Sequence, residues 1–118
     1  MATIELIRND PNVRTLLAGD TIFSEDDDGS DAFVVTAGEV ELLVHGQPVE
    51  ILKDGGIFGE MALIDHKTRS ATARAITDVT LVPLDQKRFL YLVENTPYFA
   101  IEVMQVMADR LRRMDAIV

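Results

Sequence analysis

The chain has 118 residues, 47% of them hydrophobic, with no cysteine and a formal net charge of −9. That length suits one domain, residues 1–118, whose core needs no disulfide or metal staple. The missing cysteines exclude disulfide scaffolds, zinc–thiolate sites and thiol catalysis. The acidic balance disfavours broad nucleic-acid binding, and no apolar run of about 18 residues exists to span a membrane. The N-terminus, Met-Ala-Thr-Ile-Glu-Leu-Ile-Arg, is too short and too charged for a secretory signal, so a cytoplasmic setting is expected.

Residues 2–9 read as a short helix. Turn residues then punctuate the chain: Gly19-Asp20, Asp28-Gly29-Ser30, Gly38, Gly46 and Asp54-Gly55-Gly56. Between them lie short β-type runs at Thr21–Phe23, Ala32–Thr36, Val40–Val44 and Val49–Leu52. Such spacing predicts antiparallel β structure, a sandwich or a barrel. Strands resume over Ser70–Ile76, where Ala71, Ala73 and Ala75 alternate with Thr72, Arg74 and Ile76, and again over Val79–Leu84. The acidic run Glu25–Asp28 lacks the spacing of an EF-hand and reads as a solvated turn.

From Asp85 the period changes. Asp85 is placed to cap a helix over about 86–93. Thr96-Pro97 starts a second helix over about 97–115, with Pro at its first position. Phe99, Val103, Met107, Leu111, Met114 and Val118 form an apolar stripe along it. That stripe suits packing within the chain and coiled-coil pairing of two chains equally.

Residues 55–75 carry the candidate chemistry. Two histidines, His45 and His66, are too few for the metal site of a small cupin-like enzyme. No Gly-x-Ser-x-Gly elbow is present either. A catalytic set and a metal site are therefore not expected. Anion binding fits better. Gly59 lets backbone approach a ligand closely, and residues 60–64 can form a short helix with N–H groups facing an anion. Arg69 supplies a permanent charge in a fork suited to phosphate oxygens, and Ser70 adds a hydroxyl. Glu60 would repel a phosphate, so it makes sense only against a neutral hydroxyl on the same ligand. A ribose phosphate has both groups.

Phe58-Gly59-Glu60-Met61-Ala62-Leu63-Ile64, followed by Arg69-Ser70-Ala71-Thr72, resembles the phosphate-binding cassette of cyclic-nucleotide-binding domains. Ala18–Phe23, Phe33–Glu41, Arg88-Phe89-Leu90 and Thr96-Pro97 match other parts of that family in order. The resemblance implies an eight-stranded antiparallel β-roll of jelly-roll type over about 12–85, with a short cassette helix and C-terminal helices. It implies Glu60 on the ribose 2′-hydroxyl and Arg69 on the cyclic phosphate. The N–H groups of Ala62 and Ala71, with Ser70, would complete the cradle, Gly59 would keep backbone close, and Met61 would pack near the ribose or hinge. Arg110 would reach the base or ribose edge, with Met114 one turn on as an apolar cap. A solvated helix charge is an equal reading of Arg110.

The ligand expected is cAMP, with cGMP second, and Ser70 does not separate them. The expected behaviour is a switch with a hinge near Phe89-Leu90, in which the last helix closes over the base. With no helix-turn-helix segment after that helix, output is expected to pass to an effector protein. A degenerate β-roll acting only as a protein-interaction module is the main alternative, disfavoured by an intact Gly59, Glu60 and Arg69.

Overall fold

Turn punctuation and apolar alternation resolve into two facing sheets. A computed structural model describes residues 7–65 and 67–117. The expected helix over residues 2–9 lies largely outside them, as do His66, Val118 and the Met114 side chain. The described strands are β1 (Arg14–Leu16), β2 (Thr21–Phe23), β3 (Ala32–Ala37), β4 (Val40–Val44), β5 (Gln47–Leu52), β6 (Ile57–Phe58), β7 (Thr72–Ala75) and β8 (Val79–Leu84). One four-stranded sheet runs β1-β8-β3-β6 and the other β2-β7-β4-β5, with every pairing antiparallel. A single 3-10 turn (Glu60–Leu63) follows β6, and two helices, α1 (Gln86–Asn95) and α2 (Tyr98–Ile117), close the chain.

Side-chain alternation explains why β3 and β8 read as almost unbroken apolar runs. Phe33 and Val35 of β3, with Val79 and Leu81 of β8, face the second sheet and meet Val40, Leu42, Leu52, Ala73 and Ala75. The opposite face of the same strands carries Ala32, Val34, Val82 and Leu84, which meet Leu92, Phe99 and Val103 of the helices. The first sheet is thus buried on both faces, and successive residues of its central strands serve different clusters. In β7, Ala73 and Ala75 are buried while Arg74 points outward and pairs with Glu41, its neighbour across β4.

The helices form as the caps dictate. The Asp85 carboxylate accepts a 2.7 Å hydrogen bond from the Arg88 N–H, so Asp85 is the N-cap of α1. Thr96 leaves helical geometry, and the Phe99 and Ala100 N–H groups bond the Thr96 and Pro97 carbonyls to begin α2. Phe89 and Leu90 lie inside the unbroken α1. The change of direction sits at Thr96-Pro97, because a hydrogen-bonded helix interior resists bending more than its end does.

Two strands escaped the sequence reading: β1, whose Arg14 and Thr15 are exposed, and β6, which has only two residues. The strand expected from Ser70 begins only at Thr72, since Ser70 and Ala71 line a cavity instead of pairing. The helical stripe splits. Phe99 and Val103 are buried in the core and Met107 packs against it, whereas Leu111 is 60% exposed. The first half of that stripe is therefore intramolecular and unavailable for pairing two chains.

Phe99, fully buried and 5.7 Å from the Phe89 ring, fixes α2 against α1 and β8. Phe99→Ala should destabilise the fold by about 3–5 kcal/mol. Urea unfolding measures this; a loss below about 0.5 kcal/mol, the range of surface substitutions, would show that α2 is held elsewhere.

Candidate functional site

The segment between β6 and β7 packs Leu63 against the first sheet and shapes one wall of a cavity. Gly59 ends β6 with φ of 73°, in the left-handed region that favours glycine. A Cβ there would lie 2.9 Å from the Arg69 Nη1, so glycine also makes room for that side chain. The reversal starts the 3-10 turn, in which Glu60, Ala62 and Leu63 are buried while Met61 is exposed. Ile64 is exposed as well.

The cavity holds about 330 Å³, and all eight residues singled out from the sequence line it: Gly59, Glu60, Met61, Ala62, Arg69, Ser70, Ala71 and Arg110. Phe23 and Leu42 from the sheets and Met107 and Leu111 from α2 complete the part of the wall that matters here. Its size is that of an ordinary small-molecule site. The Ala62 N–H donates to the Gly59 carbonyl at 3.3 Å, closing the turn.

Arg69 is 7% exposed, which makes it a buried cation rather than a surface charge. Its backbone is clamped to the β2–β3 loop: its N–H donates to the Asp27 carbonyl, and the Asp26 N–H donates to its carbonyl, both at 2.8 Å. Its guanidinium sits 4.2 Å from the centre of the Phe23 ring, a cation–π contact, and Nη1 donates to the Gly59 carbonyl at 3.3 Å. Gly29 lies directly against it, and a Cβ there would overlap the guanidinium. Burial pushes the Arg69 pKa below its usual value, against the opposing fields of Asp31 and Asp27. Its buried Nε has no hydrogen-bond partner among the described residues. A buried charge under these conditions is stabilised by an anion.

Glu60 is 5% exposed and meets Arg110 rather than Arg69. Arg110 reaches down from α2, and its Nη1 donates to Glu60 Oε1 at 2.5 Å. The same guanidinium donates from Nε and Nη2 to the two oxygens of Glu50, at 2.8 and 3.2 Å, and from Nη2 to the Ile57 carbonyl at 2.6 Å. Burial works against the Arg110 charge, but the hydrogen bonds and fields of Glu50 and Glu60 outweigh it and raise its pKa. Arg110 is thus a structural tie between α2, β5 and the 3-10 turn, not a solvated helix charge.

Sequence reasoning missed Glu50 and Phe23. Alternation along β5 was the available signal for Glu50, because it shares a face with the buried Leu52. For Phe23 there was none, since a ring beneath Arg69 depends on pairing of β2 with β7.

A family model for the cyclic nucleotide-binding domain matches residues 13–96. The cyclic AMP receptor protein of Thermus thermophilus is 35% identical over 102 residues, covering 82% of this chain and 47% of that protein. The cAMP-dependent protein kinase regulatory subunit of Emericella nidulans is 41% identical over 83 residues, covering 66% of this chain and 20% of that protein. Among solved structures, the cAMP-bound form of the EAL enzyme Bd1971 is 36% identical with a TM-score of 0.64, and its cGMP-bound form 35% identical with a TM-score of 0.66. Each match covers 88% of this chain and 29% of that one. The chain therefore spans about half the length of the first curated relative and a fifth of the second. With the β-roll, the cassette segment and the match over most of its length in agreement, the chain belongs to the cyclic nucleotide-binding domain family.

Proposed function

We propose that the cavity binds a cyclic nucleotide, with cAMP preferred over cGMP, and that the chain acts as a non-catalytic sensor whose α2 helix responds to the ligand. The observation that carries this reading is Arg69, a buried guanidinium on the cavity wall with no carboxylate bonded to it among the described residues. The cyclic phosphate would supply the missing charge. Glu60 would accept from the ribose 2′-hydroxyl. Leu42, Met107 and Leu111 offer apolar surface to the base. Preference for cAMP follows the two curated relatives, whose names both specify it.

The same contacts give a route from ligand to helix. A hydroxyl bonded to Glu60 changes the charge that Arg110 feels, and Arg110 belongs to α2. Ligand and helix then share one carboxylate, so each biases the other by the same free energy. A differential of a few kcal/mol is enough to move α2 between two positions. Thr96-Pro97, where the helix direction changes, is the hinge in this reading. Ile101, Met104 and Leu111 present exposed apolar surface along α2 that would move with it, toward a cytoplasmic effector protein or a second copy of the chain.

Arg69→Ala should weaken cAMP binding by two to three decades or more, because breaking one side of a buried charge pair costs about 3–5 kcal/mol. Titration calorimetry reads this, and unaltered affinity would remove Arg69 from the phosphate. Saturating cAMP should slow amide exchange over Tyr98–Ile117 by about tenfold, equal to about 1.4 kcal/mol. Unchanged exchange there with nucleotide bound would rule out helix coupling.

A further inference from the structure

Glu50 belongs to no motif in the sequence, yet it holds more of Arg110 than Glu60 does. It lies on β5 directly across from Leu42, so both side chains stand on the sheet face that borders the cavity. An arginine presents five N–H donors in a rigid fork. Glu50 takes the Nε–Nη2 edge of Arg110 with both of its oxygens, the two-bond geometry that guanidinium and carboxylate favour. Only Nη1 is left for Glu60, and it reaches a single oxygen, Oε1. Among the described residues, nothing donates a hydrogen bond to Glu60 Oε2.

We propose that Glu50 is a positioning residue for sugar recognition: by occupying the fork of Arg110, it keeps the second oxygen of Glu60 open to a ribose hydroxyl. Without the Glu50 carboxylate, the fork would turn to its other described carboxylate partner and close over both oxygens of Glu60. The ligand's hydroxyl would then lose its acceptor, although Glu60 itself is unchanged. The arrangement also reconciles two demands on Glu60, which must anchor α2 through Arg110 and still accept from a ligand. This inference rests on the cyclic-nucleotide reading of the cavity.

The test is a calorimetric titration of wild type, Glu50→Gln, Glu50→Asp and Arg69→Ala with cAMP and with 2′-deoxy-cAMP. Wild type should prefer cAMP by about tenfold or more, the value of a hydrogen bond to a charged group. Glu50→Gln keeps the size of the side chain and should reduce that preference to within about twofold, through weaker cAMP binding with the deoxy ligand little changed. Glu50→Asp, which retains the carboxylate, should give an intermediate ratio and carries the same test should the Gln variant not fold. An unchanged ratio in the Glu50 variants overturns the proposal, including a loss that falls equally on both ligands. Wild type binding both nucleotides alike overturns it too. If the ratio persists in Glu50→Gln while Arg69→Ala abolishes both interactions, the cavity reading stands and the role of Glu50 falls. If wild type binds neither nucleotide, both fall together.

Discussion

The site depends on keeping a guanidinium charged beneath the protein surface. Arg69 loses most of its water, and burial lowers its pKa despite the fields of Asp27 and Asp31. Removing a charge from water costs several kcal/mol unless dipoles, rings or counter-charges replace the hydration. Here the surrounding structure supplies partial replacement. The Phe23 ring lies against the guanidinium, the Gly59 carbonyl accepts from it, and the β2–β3 loop clamps its backbone. Two glycines, Gly29 and Gly59, leave the space it fills. Much of the local architecture serves this one side chain, which is hard to account for if Arg69 were an ordinary surface residue.

Arg110 solves the opposite problem. Glu60 is a buried carboxylate, and Arg110 neutralises it while joining it to Glu50 and to the backbone of β6. Arg113 Nη2 also lies 3.6 Å from Glu50 Oε1, so two cations balance the two carboxylates and Glu60 presents a carboxylate oxygen to the cavity, whereas Arg69 carries positive charge on the same cavity. Charge of each sign is thus presented to a ligand from separate parts of the wall. A molecule bearing both an anion and hydroxyls can satisfy both, while a simple anion addresses only Arg69. Because α2 delivers Arg110, the position of that helix and the electrostatics of the cavity cannot be varied independently.

How much of this was legible in the sequence follows from the range of each interaction. Gly59, Glu60, Arg69 and Ser70 lie close together in the chain, so their joint meaning survives without tertiary information. The two helices were legible because Asp85 and Thr96-Pro97 mark their starts by local chemistry. The alternation of alanines read from the sequence coincides in β7 with burial of Ala73 and Ala75. In contrast, β1 and β6 gain their identity from pairing with β8 and β3 rather than from their own residues. The stripe from Phe99 was visible, but its division between core and surface depends on where β8 and α1 end. Glu50 illustrates the limit best. Alternation along an edge strand could place this glutamate on the inner face, but its role exists only because Arg110, sixty residues later, reaches it.

The central claim is that Arg69 receives the cyclic phosphate, and the most direct measurement is the Arg69 side-chain Nε–H signal in a proton–nitrogen NMR spectrum during titration. The account predicts that cAMP shifts this signal strongly and slows its exchange with water, since a buried donor that has no partner among the described residues acquires one. Adenosine, which lacks the phosphate, should leave it in place. An Arg69 signal that stays unmoved while cAMP saturates the protein, or that responds equally to adenosine, would contradict the account.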